Sequence, residues 1–173
     1  MGGVIIPYTK IECDSPIISL LGPGKGGGDW QYGAAEIIHQ KDPDAIIALP
    51  LMDLSNIFTP VIKGKQDFTS RRNWELHYLD YSIKNGAALF WFPKQTKEVP
   101  GKSYGLISIG ELNYVTGIAK HFPDTSFCIG TDGEFTEWRT IEKDIKSRTP
   151  NIKIFNTLEE TCDEAIKLRK GYV

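Results

Sequence analysis

Five short apolar runs recur along the chain, and most are followed by a stretch whose apolar residues return at helical spacing. The runs are Ile17–Leu21, Ala45–Pro50, Ala87–Phe92, Ser126–Gly130 and Ile152–Phe155. The third, Ala-Ala-Leu-Phe-Trp-Phe, is continuously apolar, as a central strand covered on both faces would be. Between and after the runs, the pattern predicts helices over 29–40 (with Asp29 as N-cap), over 69–84 (Trp74, Tyr78, Leu79 and Ile83 on one face) and near 107–121. A last helix opens on a capping box, Thr157 with Glu160 three residues on, and carries Leu158, Cys162, Ala165 and Leu168 at helical spacing.

Strands alternating with helices imply a parallel sheet with helices on both faces, because parallel neighbours need crossover connections. The expected fold is a flavodoxin-like three-layer α/β sandwich around a five-stranded parallel sheet, as a single domain over 1–173. In such sheets ligands sit beyond the carboxyl ends of the strands. That rule selects the loops 22–31, 50–70, 93–106 and 130–135. The connection 51–68 is long for its kind, and such segments often act as lids or binding loops.

With 173 residues, 40% of them apolar and 24% charged, the chain has the means to bury one sizeable core and does not read as disordered. A formal net charge of −2 gives no reason to expect nucleic acid or an anionic membrane surface as partner. No apolar run approaches the roughly 20 residues of a membrane span. The N-terminus lacks a basic region and meets Pro7, Lys10 and Glu12 early, so no signal peptide is expected, and Ile6 breaks a myristoylation pattern. The three cysteines (Cys13, Cys128, Cys162) and three scattered histidines form no metal-ligand spacing, so neither metal nor cofactor is expected, and the compartment reads as cytoplasmic.

The first of the selected loops, Gly-Pro-Gly-Lys-Gly-Gly-Gly-Asp-Trp-Gln, holds five glycines, among them Gly22, Gly24 and Gly26. Glycines there let the backbone approach a ligand and turn its N–H groups inward, and Lys25 adds a full charge. The helix start that follows favours an anion such as phosphate or carboxylate. Neither a Walker A loop nor a dinucleotide fingerprint is present, and a plain flexible turn explains the same glycines. Asp29, Trp30 and Gln31 stand at that helix start, where Trp30 is either core or a surface for a base to stack on. On the 69–84 helix, Trp74 is core or ligand-facing, Glu75 faces the cleft if the helix starts there, and Arg71 and Arg72 are by default solvated. In Ser-Tyr-Gly-Leu-Ile-Ser-Ile-Gly-Glu-Leu-Asn-Tyr-Val, Glu111 is a lone carboxylate in an apolar stretch, costly to bury unless hydrogen-bonded or used.

At this last segment the chain resembles the nucleoside 2-deoxyribosyltransferase family and its relatives, the deoxynucleoside-monophosphate N-glycosidases. The family's nucleophilic glutamate lies in a Gly-x-Glu-Leu-Gly-like segment that opens a helix, matched here by Gly110-Glu111-Leu112-Asn113, with Asn113 in place of the last glycine. Trp74-Glu75 through Leu79, followed by the Phe-Trp-Phe-Pro strand, and the glycine-rich first loop add to the resemblance, which covers roughly 17–135. It implies that Glu111 attacks the anomeric carbon and that a second carboxylate, Glu75, protonates or orients the base. It further implies a nucleoside or nucleotide substrate bound by the first loop, Trp74, Tyr104 and Ser108, and assembly as a homo-oligomer. The chain departs from the family at Gly105, where the transferases have aspartate. Ser103 and Ser108 are the nearest to the glycosidases' serine, and the first strand lacks the tyrosine that holds the nucleophile, a part for which Tyr104 is the candidate. Two other readings remain open: a nucleotide-binding module without turnover, and an electron carrier on the same fold. The latter lacks the Ser/Thr-rich phosphate loop it would need.

Overall fold

The computed structural model describes residues 2–12 and 14–172; Cys13 lies outside the described residues. The elements in chain order are β1 (Gly3–Ile5), β2 (Thr9–Lys10), β3 (Ile17–Leu21), α1 (Trp30–Lys41), β4 (Ile46–Ala48), β5 (Lys65–Gln66) and α2 (Arg71–Ser82). There follow β6 (Gly86–Phe92), α3 (Leu106–Ala119), β7 (Phe127–Thr131), α4 (Trp138–Arg148), β8 (Ile154–Phe155) and α5 (Leu158–Lys170).

Six strands form one parallel sheet in the order β1-β4-β3-β6-β7-β8, and β2 and β5 pair separately as a small antiparallel ribbon. The sheet therefore has one strand more than the apolar runs predict. The extra strand is β1, whose three residues are a glycine and only two apolar side chains, Val4 and Ile5, too short to stand out as a run. It pairs with β4 in register, Val4 opposite Ile47. On its other flank the segment Pro60–Ile62 lies against it: Val4 N–H donates to the Pro60 carbonyl and Ile62 N–H to the Val4 carbonyl, each at 2.8 Å. The long 51–68 connection is thus tied to the sheet edge.

Alternation along the strands sorts side chains into two layers. Ile18 and Leu20 of β3 point with Ile47, Leu89 and Trp91 toward α1 and α5, packing on Ala34, Ile38, Cys162 and Ala165. Leu21, Phe90, Phe92 and Ile129 point the other way, against Leu79 of α2, Leu112 and Val115 of α3, and Trp138 and Ile145 of α4. The three-layer sandwich expected from the sequence is present. Helix α4 is the element to which the sequence pattern assigns nothing. It is largely polar, and of its residues only Trp138 and Ile145 are fully buried.

Trp74 and Tyr78 close a third cluster with Ile5, Ile17 and Ala48. The Trp74 indole N–H donates to the Thr9 carbonyl at 2.9 Å, and the Tyr78 hydroxyl donates to the same oxygen at 3.2 Å. These bonds staple α2 onto the N-terminal segment and set its first turn over the carboxyl ends of β3 and β4. Half of the expected capping box of α5 forms: the Thr157 hydroxyl oxygen accepts from Glu160 N–H at 3.2 Å, and the hydroxyl itself donates to the Glu160 carboxylate at 3.0 Å. Asp29 does hold the N-cap position of α1, but its side chain makes no capping hydrogen bond.

Candidate active site

A cleft of about 530 Å³ opens beyond the carboxyl ends of β3 and β4. One wall is the first loop, from Gly22 to Lys25, and a second is the start of α2, from Arg71 to Tyr78. The third runs from Gln95 through Tyr104 into α3 as far as Glu111. Of the loops selected from the sequence, 22–31 and 93–106 line it. The 51–68 connection does not, because it is bound at the sheet edge, and only Pro50 at its start reaches the cleft. Residues 130–135 also stay outside, with Asp132 accepting from Lys94 N–H at 2.7 Å and Glu134 paired to the Lys94 ammonium.

Among the expected site residues, the structure brings together Glu111, Glu75, Gly22, Gly24, Lys25, Gln31, Trp74, Tyr104 and Ser108 on this cleft. Three do not face it. Trp30 is core, packed among Leu20, Ala34 and Trp91, with its indole N–H donated to the Pro23 carbonyl at 2.9 Å. It fixes the loop from behind and offers no stacking face. Asp29 is exposed at the helix start. Gly26 turns its carbonyl to the 93–106 loop, accepting from Thr96 N–H at 2.7 Å, and so fastens one wall to the other. Gly22 has φ 146°, and a Cβ there would meet the Trp91 carbonyl oxygen at 2.1 Å, so only glycine lets these two strand ends lie side by side.

Glu111 projects from the second turn of α3 and is only 7% exposed. Its carboxylate accepts a hydrogen bond from Arg72 Nη1 of α2. The same nitrogen is 3.3 Å from Glu75 Oε2, while Arg71 Nε donates to Glu75 Oε1 at 2.8 Å. Arg71 Nη2 in turn donates to the Pro50 carbonyl at 2.6 Å. A ladder of alternating charge therefore runs from the end of β4 to the cleft wall: Arg71, Glu75, Arg72, Glu111. Burial raises the Glu111 carboxyl above its usual range; the Arg72 guanidinium opposes this, and the nearby Glu75 charge reinforces it.

Arg71, Arg72 and Lys102 are the residues the sequence reading left at the surface or unremarked. The spacing of Arg71 and Arg72 from Glu75, four and three positions, is a helical ion-pair signal visible in the sequence. The bond from Arg72 to Glu111 spans 39 positions and follows only from the packing of α2 beside α3. Lys25 and Lys102 meet at the cleft, and Lys102 pushes the Lys25 ammonium below the usual lysine range, with burial and Arg71 adding to the effect. Four cationic side chains thus line the cleft against two carboxylates. Leu20 and Leu21 supply an apolar floor, and Leu106 and Ile107, both exposed, an apolar rim.

Tyr104 does not reach the nucleophile candidate. Its hydroxyl donates to the Pro93 carbonyl at 2.8 Å, and burial, with Asp132 nearby, pushes it up to about 12. Gly105, where the transferases carry aspartate, has φ 71° and caps α3; a Cβ there would fall 2.5 Å from the Phe135 ring. The aspartate has no room in this chain. Among the described residues no group of histidine, cysteine and acidic side chains is arranged to hold a metal ion, and no helix is long and apolar enough to cross a membrane. Cys128 and Cys162 are buried free thiols.

Fold and cleft together define a parallel three-layer α/β protein with a buried, ion-paired carboxylate at a strand-end crevice. Comparison of the chain with protein-family models, with curated proteins and with solved structures finds no match.

Proposed function

We propose that the chain is an enzyme that cleaves or exchanges the N-glycosidic bond of a nucleoside or nucleotide, with Glu111 as nucleophile. The observation that carries this reading is a nearly buried carboxylate on the wall of a cleft large enough for one nucleotide, at the sheet edge where such folds bind ligands. The order β4-β3-β6-β7-β8 is that of flavodoxin-like sheets, with β1 added beside β4. In the reaction, a Glu111 oxygen bonds to the anomeric carbon as the carbon–nitrogen bond breaks, and the base leaves with the bonding pair and takes up a proton from solvent water in the open cleft. Water or a second base then displaces the glutamate and restores it. In this reading Glu75 orients the base and does not protonate it, a role supported by both its oxygens already accepting from guanidinium groups. Lys25 and Lys102 supply positive charge for a phosphate on the sugar.

The test is incubation of the chain with a panel of nucleosides, deoxynucleosides and their monophosphates, with chromatography of the released base, for the wild type and Glu111→Gln. Release that depends on Glu111 supports the reading, and release equal in the two proteins removes it. The competing reading, a nucleotide-binding module without turnover, draws on the guanidinium of Arg72 seated on the Glu111 carboxylate; tight binding with no base released would favour it. Homo-oligomeric assembly belongs to the same proposal. Leu76, Leu106, Ile107 and Tyr114 are exposed on α2 and α3 near the cleft, and light scattering in solution decides it.

A further inference from the structure

Among the described residues Arg72 donates the hydrogen bond shown on the Glu111 carboxylate, and it opposes the burial and the Glu75 charge that favour the protonated form. On α3 itself the only further ionisable group is Tyr114, whose hydroxyl donates to Asp80 on the outer surface. From α2 come Arg72 and Glu75, with Arg71 held by Glu75 and Pro50 and the Tyr78 hydroxyl donated to Thr9; from the first loop Lys25; from the third wall Lys102 and Tyr104, the last committed to Pro93. Arg148 of α4 is bound to Asn113. Two carboxylates therefore share one guanidinium nitrogen, and without it Glu111, only 7% exposed, would face the like charge of Glu75, which favours its protonated form.

We propose that Arg72 is the positioning residue of this site: its guanidinium keeps Glu111 in the ionised form that attack on carbon requires and aims it into the cleft. The proposal rests on the glycosidic reading only for the use to which that carboxylate is put. Arg72 reaches across from α2 because Arg71 and Glu75 brace it: Arg71 is tied to Pro50, Glu75 to Arg71, and Arg72 to Glu75. A guanidinium suits the part because its fixed fork can serve two carboxylates at once and stays charged. The tyrosine that the resemblance leads one to expect is absent, and the ladder from α2 takes its place.

The test reads protonation directly. With ¹³C-labelled glutamate, and Glu111 assigned by the signal lost in Glu111→Gln, each carboxyl is followed in the full chain over about pH 3 to 9. Arg72→Gln should raise the Glu111 midpoint by about one pH unit or more, a tenfold change in its ionisation, and Arg72→Lys should recover most of the shift. The acid limb of kcat/KM should move with it. An unchanged midpoint in Arg72→Gln overturns the proposal. Should that variant not fold, the unmutated protein decides: the ¹⁵Nη signal of Arg72 should respond to pH at the Glu111 midpoint, and an Arg72 signal indifferent to that titration overturns it equally. The titration needs no turnover. A chain that releases no base leaves it standing, and a midpoint that ignores Arg72 leaves the glycosidic reading standing.

Discussion

The indole N–H of Trp30 donates to the carbonyl of Pro23 across 2.9 Å, which ties the first turn of α1 to the glycine-rich loop ahead of it. The ring itself is packed in the core, so its contribution to the cleft is to hold the loop's shape. Trp30→Phe keeps an aromatic ring in the core, removes the bond and leaves part of the indole's volume empty. It should cost about 2–3 kcal/mol, a fall in Tm of about 4–12 °C for a chain of this size, measured by chemical and thermal denaturation. Substrate affinity should fall with it, because Gly24 and Lys25 lose their backing; unchanged affinity would show that the loop shapes itself.

If Glu111 is the nucleophile proposed above, Glu111→Gln should reduce turnover roughly a thousandfold, since the amide keeps the shape and loses the attacking oxygen. A loss below about tenfold in steady-state rate would argue against the assignment.

The same substitution has a pH signature in stability. Burial raises the Glu111 carboxyl in the folded chain above its value in the unfolded one. A carboxyl shifted upward favours the fold fully at pH below its unfolded value, and this advantage is lost as pH rises through the folded value. Denaturant midpoints of wild type and Glu111→Gln should therefore lie closest in acid. The wild type should fall behind as pH rises toward neutrality, and a gap that widens toward acid would contradict the burial of this side chain.

Lys25→Ala should weaken a nucleoside monophosphate more than its parent nucleoside, because the exposed ammonium at the cleft can only serve a charged group. The expected difference is about tenfold in Kd at low salt, smaller at high salt. Equal effects on both ligands, read by calorimetry, would remove the phosphate from the substrate.

Arg169 and Asp42 form an ion pair at 2.7 Å with side chains only 8% exposed, joining the end of α5 to the end of α1. Arg169→Met strands the Asp42 carboxylate in the interior and should cost about 3–5 kcal/mol in denaturant unfolding, with Lys170, 3.8 Å from the same carboxylate, tempering the loss.

The layered architecture was legible because strands buried on both faces must be almost entirely apolar: Ala87–Phe92 is, and Ile17–Leu21 is broken only by Ser19, whose hydroxyl donates to the Tyr78 carbonyl. It was not legible where burial is scant. Strand β1 has three residues, β2 and β5 have two each, and α4 shows the interior little beyond Trp138 and Ile145. At the cleft, Glu111 announced itself as a charge among apolar neighbours, and the glycines of the first loop as a place of close approach. Arg72 gave no such sign, since an arginine on a polar helix turn looks the same whether it meets water or a carboxylate 39 positions away. Trp30 and Trp74 were ambiguous for a related reason: each has an apolar ring and one N–H, and only the partner of that N–H, Pro23 or Thr9, shows which way the ring faces.

The strap from Pro60 to Ile62 occupies the outer hydrogen-bonding groups of Val4, and at the opposite margin β8 offers only two residues. A stray extended peptide therefore finds no long row of vacant amides on which to accrete at either border of the sheet. A chain shorn of the strap would bare those Val4 groups to such a peptide.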